Sequence, residues 1–278
     1  GNFSSIVDLK LARNSLSGSI PFSLFQGMPN LIGLYLDGNF ITGSIPASVG
    51  NATYLEQLDL TWNNLSGRVP ESLCNLKYLF TLLIAAGNSL GCYQQCLHDY
   101  ISSNPEMNQD VTIFLELCTQ SPTALPSGFP TFTPSVYIPT PDEVALCDLS
   151  KQFSNPMREL YGWECDTETG RPVIPICDRY EEGYEYYSYI SSWTGITCNA
   201  EEFVTEVAVS GFGFEGAIPS SLGYMPYLEY LDMSGNLFSG TIPQSLWVNA
   251  SGLLKLALAN NSLTGSLPEF YGNFSSIV

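Results

Sequence analysis

Residues that could do chemistry are sparse in this chain, and they form no catalytic pattern. The single histidine, His98, ends the motif Cys92-x-x-x-Cys96-x-His98, which could begin a zinc site, but a structural zinc ion needs about four ligands. A Ser-His-Asp triad would also depend on His98. The carboxylates of Asp37 and Asp59 fall on an open sheet face in the repeat pattern below, where nothing excludes water from an acid–base pair. We therefore predict no enzyme activity, no metal site and no bound cofactor.

Cysteines and sequons indicate the compartment. Eight cysteines, an even number, favour disulfides over metal binding, and with the Asn-x-Ser/Thr sequons they predict a secreted or cell-surface protein. The predicted disulfide cysteines form two groups of four: Cys74, Cys92, Cys96 and Cys118 in one, and Cys147, Cys165, Cys177 and Cys198 in the other. The asparagines predicted to carry N-linked glycans are Asn2, Asn51, Asn64, Asn249, Asn260 and Asn273.

The charge balance excludes several partners. The chain carries 27 acidic and 9 basic residues, for a net charge of −18. Nucleic acid needs a cationic surface, so it is excluded as a partner, and anionic membranes are disfavoured for the same reason. No apolar run is long enough to insert into a membrane in this segment. Calcium prefers carboxylate oxygens, but no Asp-x-Asp-x-Asp loop occurs, so we expect at most diffuse calcium binding.

A sequence repeat of 24 or 25 residues extends over most of the chain. The asparagines that mark it are Asn14, Asn39, Asn63 and Asn88, then Asn236 and Asn261. An Ile-Pro pair or a close variant follows at the same interval, with its proline at Pro21, Pro46, Pro70, Pro219, Pro243 and Pro268. A period of this length with Leu-x-Leu-x-x-Asn-x-Leu is typical of leucine-rich repeats.

The motif Leu-x-Gly-x-Ile-Pro, or a close variant, follows these asparagines except Asn88, where the Ile-Pro is lost. This motif resembles the plant-type subfamily of extracellular leucine-rich repeat proteins. The resemblance implies a solenoid with a parallel β-sheet on its concave face, an irregular or 3-10 convex side, and disulfide-bonded caps at both ends. In each unit one short strand should bury leucines such as Leu34 and Leu36 and expose its other residues. The asparagine side chain can satisfy the turning backbone, because it both donates and accepts hydrogen bonds. Relatives of this type include receptor ectodomains and inhibitors of pathogen enzymes.

The chain ends as it begins. Residues 1–7 and 272–278 are both Gly-Asn-Phe-Ser-Ser-Ile-Val. If residue 278 is followed by residue 8 of another copy, the asparagines and prolines keep their 24-residue spacing across the junction. The sequence therefore predicts one period of a tandem array, in which seven repeats begin near Phe203, Tyr227, Leu253, Ile6, Leu31, Tyr54 and Leu79.

This order predicts five segments. They are 1–96, the second part of the repeat solenoid; 97–118, the C-terminal cap; 119–143, a Pro/Ser/Thr-rich linker; 144–202, the N-terminal cap; and 203–278, the first part of the solenoid, continuing into residue 8 of the next period. The run from Trp193 to Cys198 resembles the end of the family's N-terminal cap. That resemblance suggests the pairs Cys147–Cys165 and Cys177–Cys198.

The linker holds six prolines and eight Ser/Thr residues in 25 positions, which favours polyproline II and allows O-linked glycans. We expect it to dock through aromatic side chains. A second aromatic stretch, residues 178–189, suggests packing on a neighbour, with tyrosine sulfation or oxidative cross-linking as alternatives. The predicted filament contacts are Phe129, Phe132, Tyr137, Tyr184, Tyr186 and Tyr187.

Two functions follow from this organisation. The first is a structural period of an extracellular glycosylated filament, a surface appendage or matrix fibre, whose main partner is itself. The alternative is a recognition or adhesion ectodomain that binds a protein or glycan on its concave face. The outward strand positions are mostly small or singly acidic and lack the aromatic and arginine clusters of a binding hot spot, which favours the filament.

Overall fold

The protein was analysed as a computed structural model, which describes residues 5–111, 115–118, 141–152, 163, 165, 172, 176–179, 189–191 and 193–268. The described residues fall into two compact units. Unit 1 takes its residues from 3–14 and 138–265, and unit 2 from 15–137 and 266–278. The first unit is therefore built from two segments that are far apart in sequence.

The described part of the chain forms twenty short strands. In chain order they are β1 (Asp8–Lys10), β2 (Ser15–Ser19), β3 (Gly33–Tyr35), β4 (Phe40–Gly43), β5 (Gln57–Asp59), β6 (Asn64–Gly67), β7 (Thr81–Leu83), β8 (Ser89–Leu90), β9 (Cys92–Tyr93), β10 (Asn108–Gln109), β11 (Glu116–Leu117), β12 (Cys177–Arg179), β13 (Tyr189–Ser191), β14 (Ile196–Cys198), β15 (Val204–Ala208), β16 (Glu215–Ala217), β17 (Tyr230–Asp232), β18 (Leu237–Thr241), β19 (Lys255–Ala257) and β20 (Ser262–Ser266).

Helices are short and lie between the strands. The α-helices of the described residues are α1 (Leu24–Gly27), α2 (Gln95–Ser103), α3 (Pro141–Ser150) and α4 (Gln244–Val248), and 3-10 turns cover Ala47–Asn51, Glu71–Asn75 and Ser220–Tyr224. The three 3-10 turns and α4 each start directly after a repeat proline in extended backbone, at Pro46, Pro70, Pro219 and Pro243. Proline fixes φ and lacks an N–H, so it suits the position just before a helical turn.

In unit 1, β15, β17, β19 and β1 lie side by side in parallel, and β14 pairs antiparallel with β15 at the outer edge. A second strip is formed by β16, β18 and β20, also parallel. In unit 2 the corresponding sets are β3, β5, β7 and β10, and β2, β4, β6 and β8. The seven strands that start the predicted repeats are all present, four in unit 1 and three in unit 2.

Burial within each strand follows the period of two that the leucine pattern predicts. In β1 and β19 the central residues Leu9 and Leu256 are fully buried, whereas the residues on either side point outward. Neighbouring leucines therefore stack along the inside of the coil, where each removes apolar surface of its neighbours from water. A single repeat could not bury its own leucines, so the stack is what stabilises each coil.

Asparagine ladders tie neighbouring coils together inside each unit. In unit 1 the Oδ1 of Asn236 accepts from the backbone N–H of Phe214 at 3.1 Å, and its Nδ2 donates to the carbonyl of Val209 at 2.9 Å. Asn261 and Asn14 repeat this arrangement one coil further each. The predicted role of the repeat asparagines is confirmed.

The ladder of unit 2 ends on a different residue, the buried Asp110. Its two carboxylate oxygens accept the backbone N–H groups of Ile84, Ala85 and Ala86 at 2.9, 2.8 and 2.6 Å. Three backbone N–H groups of this coil therefore converge on one side chain. A carboxylate, which only accepts, suits that position better than an amide.

Four disulfides hold the caps. In unit 1 the pairs are Cys147–Cys165 and Cys177–Cys198, the two expected from the cap resemblance, and in unit 2 they are Cys74–Cys96 and Cys92–Cys118. Trp193 is buried in the N-terminal cap, and the ring of Trp163 packs between Trp193 and Phe214, with centroids at 5.0 and 5.3 Å. The cap thereby covers the apolar end of the first coil.

Candidate functional site

The outward side of β15, β17, β19 and β1 forms what we call the unit-1 strand face. Its first row places Glu206, Tyr230, Lys255 and Asp8 on successive strands, because these residues are register partners. The second row is Ala208, Asp232, Ala257 and Lys10. Strands in a sheet lie about 4.8 Å apart, so neighbours within a row can interact directly. In the second row only Ala208 and Ala257 have small side chains.

A basic cluster lies on this face, formed by Asp8, Lys10, Arg13 and Lys255. The Nζ atoms of Lys255 and Lys10 lie 3.7 and 4.0 Å from the same Oδ2 atom of Asp8. The two lysine side chains are 50% and 47% exposed, and Arg13 is exposed at the end of the same coil. Two of the nine basic residues of the chain therefore lie on this face, with the carboxylates of Asp8, Glu206 and Asp232 in the same two rows.

Aromatic and hydroxyl groups border the basic cluster. The Nζ of Lys255 lies 5.9 Å from the ring centroid of Tyr230, which is 37% exposed. On the adjacent strand, Glu206 accepts a hydrogen bond from the hydroxyl of Thr197 at 3.1 Å. Exposed ion pairs contribute about 0.2–1 kcal/mol each, so the lysines can turn from Asp8 to a ligand carboxylate at small cost.

Backbone geometry presents the residues at the end of each strand. Arg13 and Asn260 occupy equivalent positions in neighbouring coils and have φ values of 52° and 55°, in the left-handed region that most coils fill with glycine. The N–H of Asn260 donates to the carbonyl of Ala12 at 2.9 Å, which fixes this turn beside the cluster. The Arg13 side chain is therefore carried on a tightly held turn.

Unit 2 has its own strand face on β3, β5 and β7, with a different character. Tyr35 donates a hydrogen bond to the Oε1 of Gln57, and Thr61 donates to Asp59 from both its backbone N–H and its hydroxyl. Trp62 is 69% exposed at a φ of 55°, with its ring lying over Gly87. This face carries polar groups that are already hydrogen-bonded to one another and one prominent indole.

The sequence-predicted site residues are distributed as follows. Four of the predicted glycosylation asparagines are exposed in the structure: Asn51, Asn64, Asn249 and Asn260. Asn2 and Asn273, and the predicted filament contacts Phe129, Phe132, Tyr137, Tyr184, Tyr186 and Tyr187, lie outside the described residues. Glycosylation and filament contacts therefore remain predictions.

Cysteine and histidine positions bear on the metal interpretation. Cys92 and Cys96 are disulfide-bonded to Cys118 and Cys74, and the Nδ1 of His98 lies 3.1 Å from the hydroxyl of Tyr93. Within the described ranges, no group of three or more His, Cys, Asp or Glu side chains could hold a metal ion. Diffuse calcium binding remains a prediction. The same ranges contain no helix with the length and apolar character needed to cross a membrane.

Sequence reasoning missed the basic cluster. Lys10 and Lys255 are distant in sequence, and each alone is an ordinary exposed lysine. The signal was available in the repeat register, since aligning the coils places Asp8 next to Lys255 and Lys10 next to Ala257. Read along the chain, the outward strand residues are mostly small or acidic, and the two lysines become neighbours only when adjacent coils are aligned.

Comparisons with known proteins agree with this architecture. Residues 4–65 match the family model described as "Leucine rich repeat", and residues 227–249 match a second model with the same description. The chain is 35% identical over 86 residues to the LRR receptor-like serine/threonine-protein kinase GSO2 of Arabidopsis thaliana, covering 31% of this chain and 7% of that protein. It is 46% identical over 67 residues to Receptor-like protein 54 of Arabidopsis thaliana, covering 24% of this chain and 8% of that protein.

Two solved structures show a weak likeness to this chain. The BIR2 ectodomain from Arabidopsis thaliana is 28% identical with a TM-score of 0.34, over 41% of this chain and 57% of that chain. The PEPR1–AtPEP1 structure is 22% identical with a TM-score of 0.33, over 96% of this chain and 30% of that chain. The stacked coils, asparagine ladders and disulfide-bonded caps define a capped leucine-rich repeat solenoid. Over the matched segments the chain is similar to receptor-like leucine-rich repeat proteins of plants, and it spans 7–8% of the length of the two curated relatives described.

Proposed function

We propose that this chain is an extracellular recognition module that binds an extended, acidic peptide segment on the unit-1 strand face. The observation that supports it is the basic cluster, in which Lys10 and Lys255 approach one Asp8 oxygen at 4.0 and 3.7 Å. Two exposed lysine ammonium groups that share a single carboxylate can attract a ligand carboxylate and orient it, whereas the rest of this acidic protein repels it. Curated relatives are named as receptor-like proteins, although the chain spans only 7–8% of the two described above.

The neighbouring side chains fit a peptide better than a compact ligand. Ala208, Ala257 and Ala12 are small, so an extended backbone can lie close to the sheet. Tyr230 offers an apolar surface with a polar tip next to the cations, which suits the side chain that follows an acidic residue. The strands have their backbone hydrogen bonds satisfied by each other, so side chains must provide the selectivity.

The test uses a random dodecamer peptide display library selected on the full chain. We expect acidic residues to be enriched at one position, and Lys10→Gln with Lys255→Gln to reduce binding of the enriched peptides about fivefold or more, since two exposed pairs contribute about 1 kcal/mol or more together. Asp8→Asn should strengthen binding, because it frees both lysines for the ligand.

Lys151→Gln is the matched control, because Lys151 is an exposed lysine paired with Asp148 at 2.9 Å on α3. That control should leave binding unchanged. Enrichment without acidic residues, or an equal effect of the control and the double substitution, would reject the proposal.

A second candidate is the structural filament predicted from the sequence. It is supported by the register of unit 1, where β1 follows β19 with the same alignment that β19 has on β17. A continuing tandem array would require this alignment. Electron microscopy of the native material tests it: fibres with a regular bead spacing support the filament, and discrete particles support recognition alone.

A further inference from the structure

Residues 5–14, which we call the docking segment, complete unit 1 from a distant part of the sequence. The segment docks on residues 251–263, which we call the acceptor edge, through main-chain and side-chain hydrogen bonds. These are Ser5 Oγ to the carbonyls of Ser251 (2.8 Å) and Leu253 (3.0 Å), the N–H of Val7 to the carbonyl of Leu254 (2.9 Å), the N–H of Leu258 to the carbonyl of Lys10 (2.8 Å), and the N–H of Leu263 to Asn14 Oδ1 (3.0 Å).

The contact has the character of a protein interior. Ile6, Leu9 and Leu11 are fully buried, and so is Leu256 on the facing strand. The Nδ2 of Asn14 donates to the carbonyl of Leu258 at 3.0 Å, so the asparagine ladder also crosses this contact. The acceptor edge recognises the side-chain and backbone pattern of one coil, and that recognition does not depend on how the coil is connected.

The sequence contains the start of the docking segment twice. Residues 272–278 are identical in sequence to residues 1–7. Ile277 follows Pro268 by nine residues, which is the spacing of Leu228 after Pro219 and of Leu55 after Pro46. The second copy of the heptapeptide is thus in phase with the coil that should follow the acceptor edge. The acceptor edge therefore matches, in repeat phase, a coil that begins with this heptapeptide.

We infer that the acceptor edge binds the docking segment of a second copy of this chain, in exchange for its own. The two surfaces are different, so the contact is heterologous and can add copies head to tail without closing. The chain's own segment has the advantage of a high effective concentration, so exchange should require high protein concentration or transient opening. This contact is inferred from the docking geometry and not from peptide binding, and it is the one that the filament candidate requires.

Exchange would make the basic cluster a shared site. One copy would supply Asp8, Lys10 and Arg13, and the other would supply Lys255 and Tyr230. Each cluster would then be completed by a partner copy.

The test traps the exchanged pair with a disulfide. Asp8 and Lys255 are register partners on adjacent strands, at a spacing that a disulfide can bridge. Full-length Asp8→Cys and Lys255→Cys chains are mixed at high concentration in mild urea with native disulfides intact, then diluted, oxidised and run on a non-reducing gel. A mixture of Asp8→Cys and Lys151→Cys is the control, and the double variant in one chain is the positive reference.

Exchange predicts a cross-linked pair of different chains about tenfold above the control mixture, decreasing on dilution. If the double variant cross-links only within one chain and the mixture matches its control, the segment never exchanges and the inference is wrong. Failure of the double variant to cross-link would overturn it too, because β1 would then not dock on β19 in solution. Neither result depends on peptide binding, so the two proposals can fail separately.

Discussion

Removing one rung of the asparagine ladder tests the energetic basis of the fold. Asn63 is buried, and its Oδ1 accepts from the N–H of Ile41 at 2.9 Å. Its Nδ2 donates to the carbonyls of Leu36 and Leu60 at 2.9 and 3.1 Å. Each such bond contributes about 1 kcal/mol net, so Asn63→Ala should lower the free energy of unfolding by about 3 kcal/mol. The loss should reach about 5 kcal/mol if the backbone groups left without a partner remain shielded from water.

The adjacent residue provides the control. Asn64 is the same residue type one position later but is exposed. Asn64→Ala, in protein made without glycosylation, should change the free energy of unfolding by less than about 0.5 kcal/mol. Urea unfolding with the disulfides intact measures both variants, and hydrogen exchange at the Ile41 amide reports the rung itself. Equal stability of the two variants, or undiminished protection of Ile41 in Asn63→Ala, would refute the ladder argument.

Three further predictions concern packing, pH and glycosylation. A Cβ on Gly50 would lie 2.7 Å from the carbonyl oxygen of Ser72 on the next coil, so Gly50→Ala should destabilise by about 1–3 kcal/mol in thermal unfolding, whereas Gly91→Ala, with its nearest neighbour at 3.6 Å, should be nearly neutral. Burial raises the pKa of Asp142, and the hydrogen bond from the N–H of Val204 offsets part of this effect. Because the pKa is higher in the folded state, the contribution of Asp142 to stability is present at low pH and is lost as pH rises through the folded pKa. The melting temperature of Asp142→Asn minus that of the parent chain should therefore increase from about pH 3 to about pH 7. A difference that stays constant over this range would contradict the prediction. In protein from a eukaryotic secretion host, glycopeptide mass spectrometry should find N-linked glycans at the exposed Asn51, Asn64, Asn249 and Asn260.

The regular parts of this fold could be predicted from sequence because each depends on a residue type at a fixed interval. The seven strands, the inward leucines and the asparagine hydrogen bonds can be predicted from the 24-residue sequence repeat alone. The end of the ladder does not, since Asp110 breaks the asparagine pattern and works by accepting three N–H groups. Trp62 is hard to predict for a similar reason, because its position is filled by glycine in most other coils and only the backbone φ of 55° shows that an aromatic residue can occupy it.

Interactions that cross the solenoid are harder to predict because they join residues from different coils. Asp142 is the second residue of α3, and its Oδ2 accepts from the backbone N–H of Val204 in β15 at 3.1 Å. The basic cluster likewise needs β1 placed beside β19 before its charges add up. Repeat phase gives this placement in principle, but only when side chains are compared across coils as well as along them.

Ligand binding and segment exchange should be coupled, because the basic cluster straddles the docking contact. Lys10 belongs to the docking segment and Lys255 to the acceptor edge, and both approach Asp8 within 4.0 Å. A peptide carboxylate that contacts both lysines binds the docked state but not the open one, so it must stabilise docking by linkage. At a peptide concentration about 100 times its Kd, opening becomes about 2.7 kcal/mol harder and roughly 100-fold rarer. An enriched acidic peptide, added before the cysteine variants are mixed, should therefore slow the appearance of the cross-linked pair, while a neutral amide version of the same peptide should not. Equal rates with both peptides would mean that the ligand binds one side of the contact only, and the shared-site geometry would have to be abandoned.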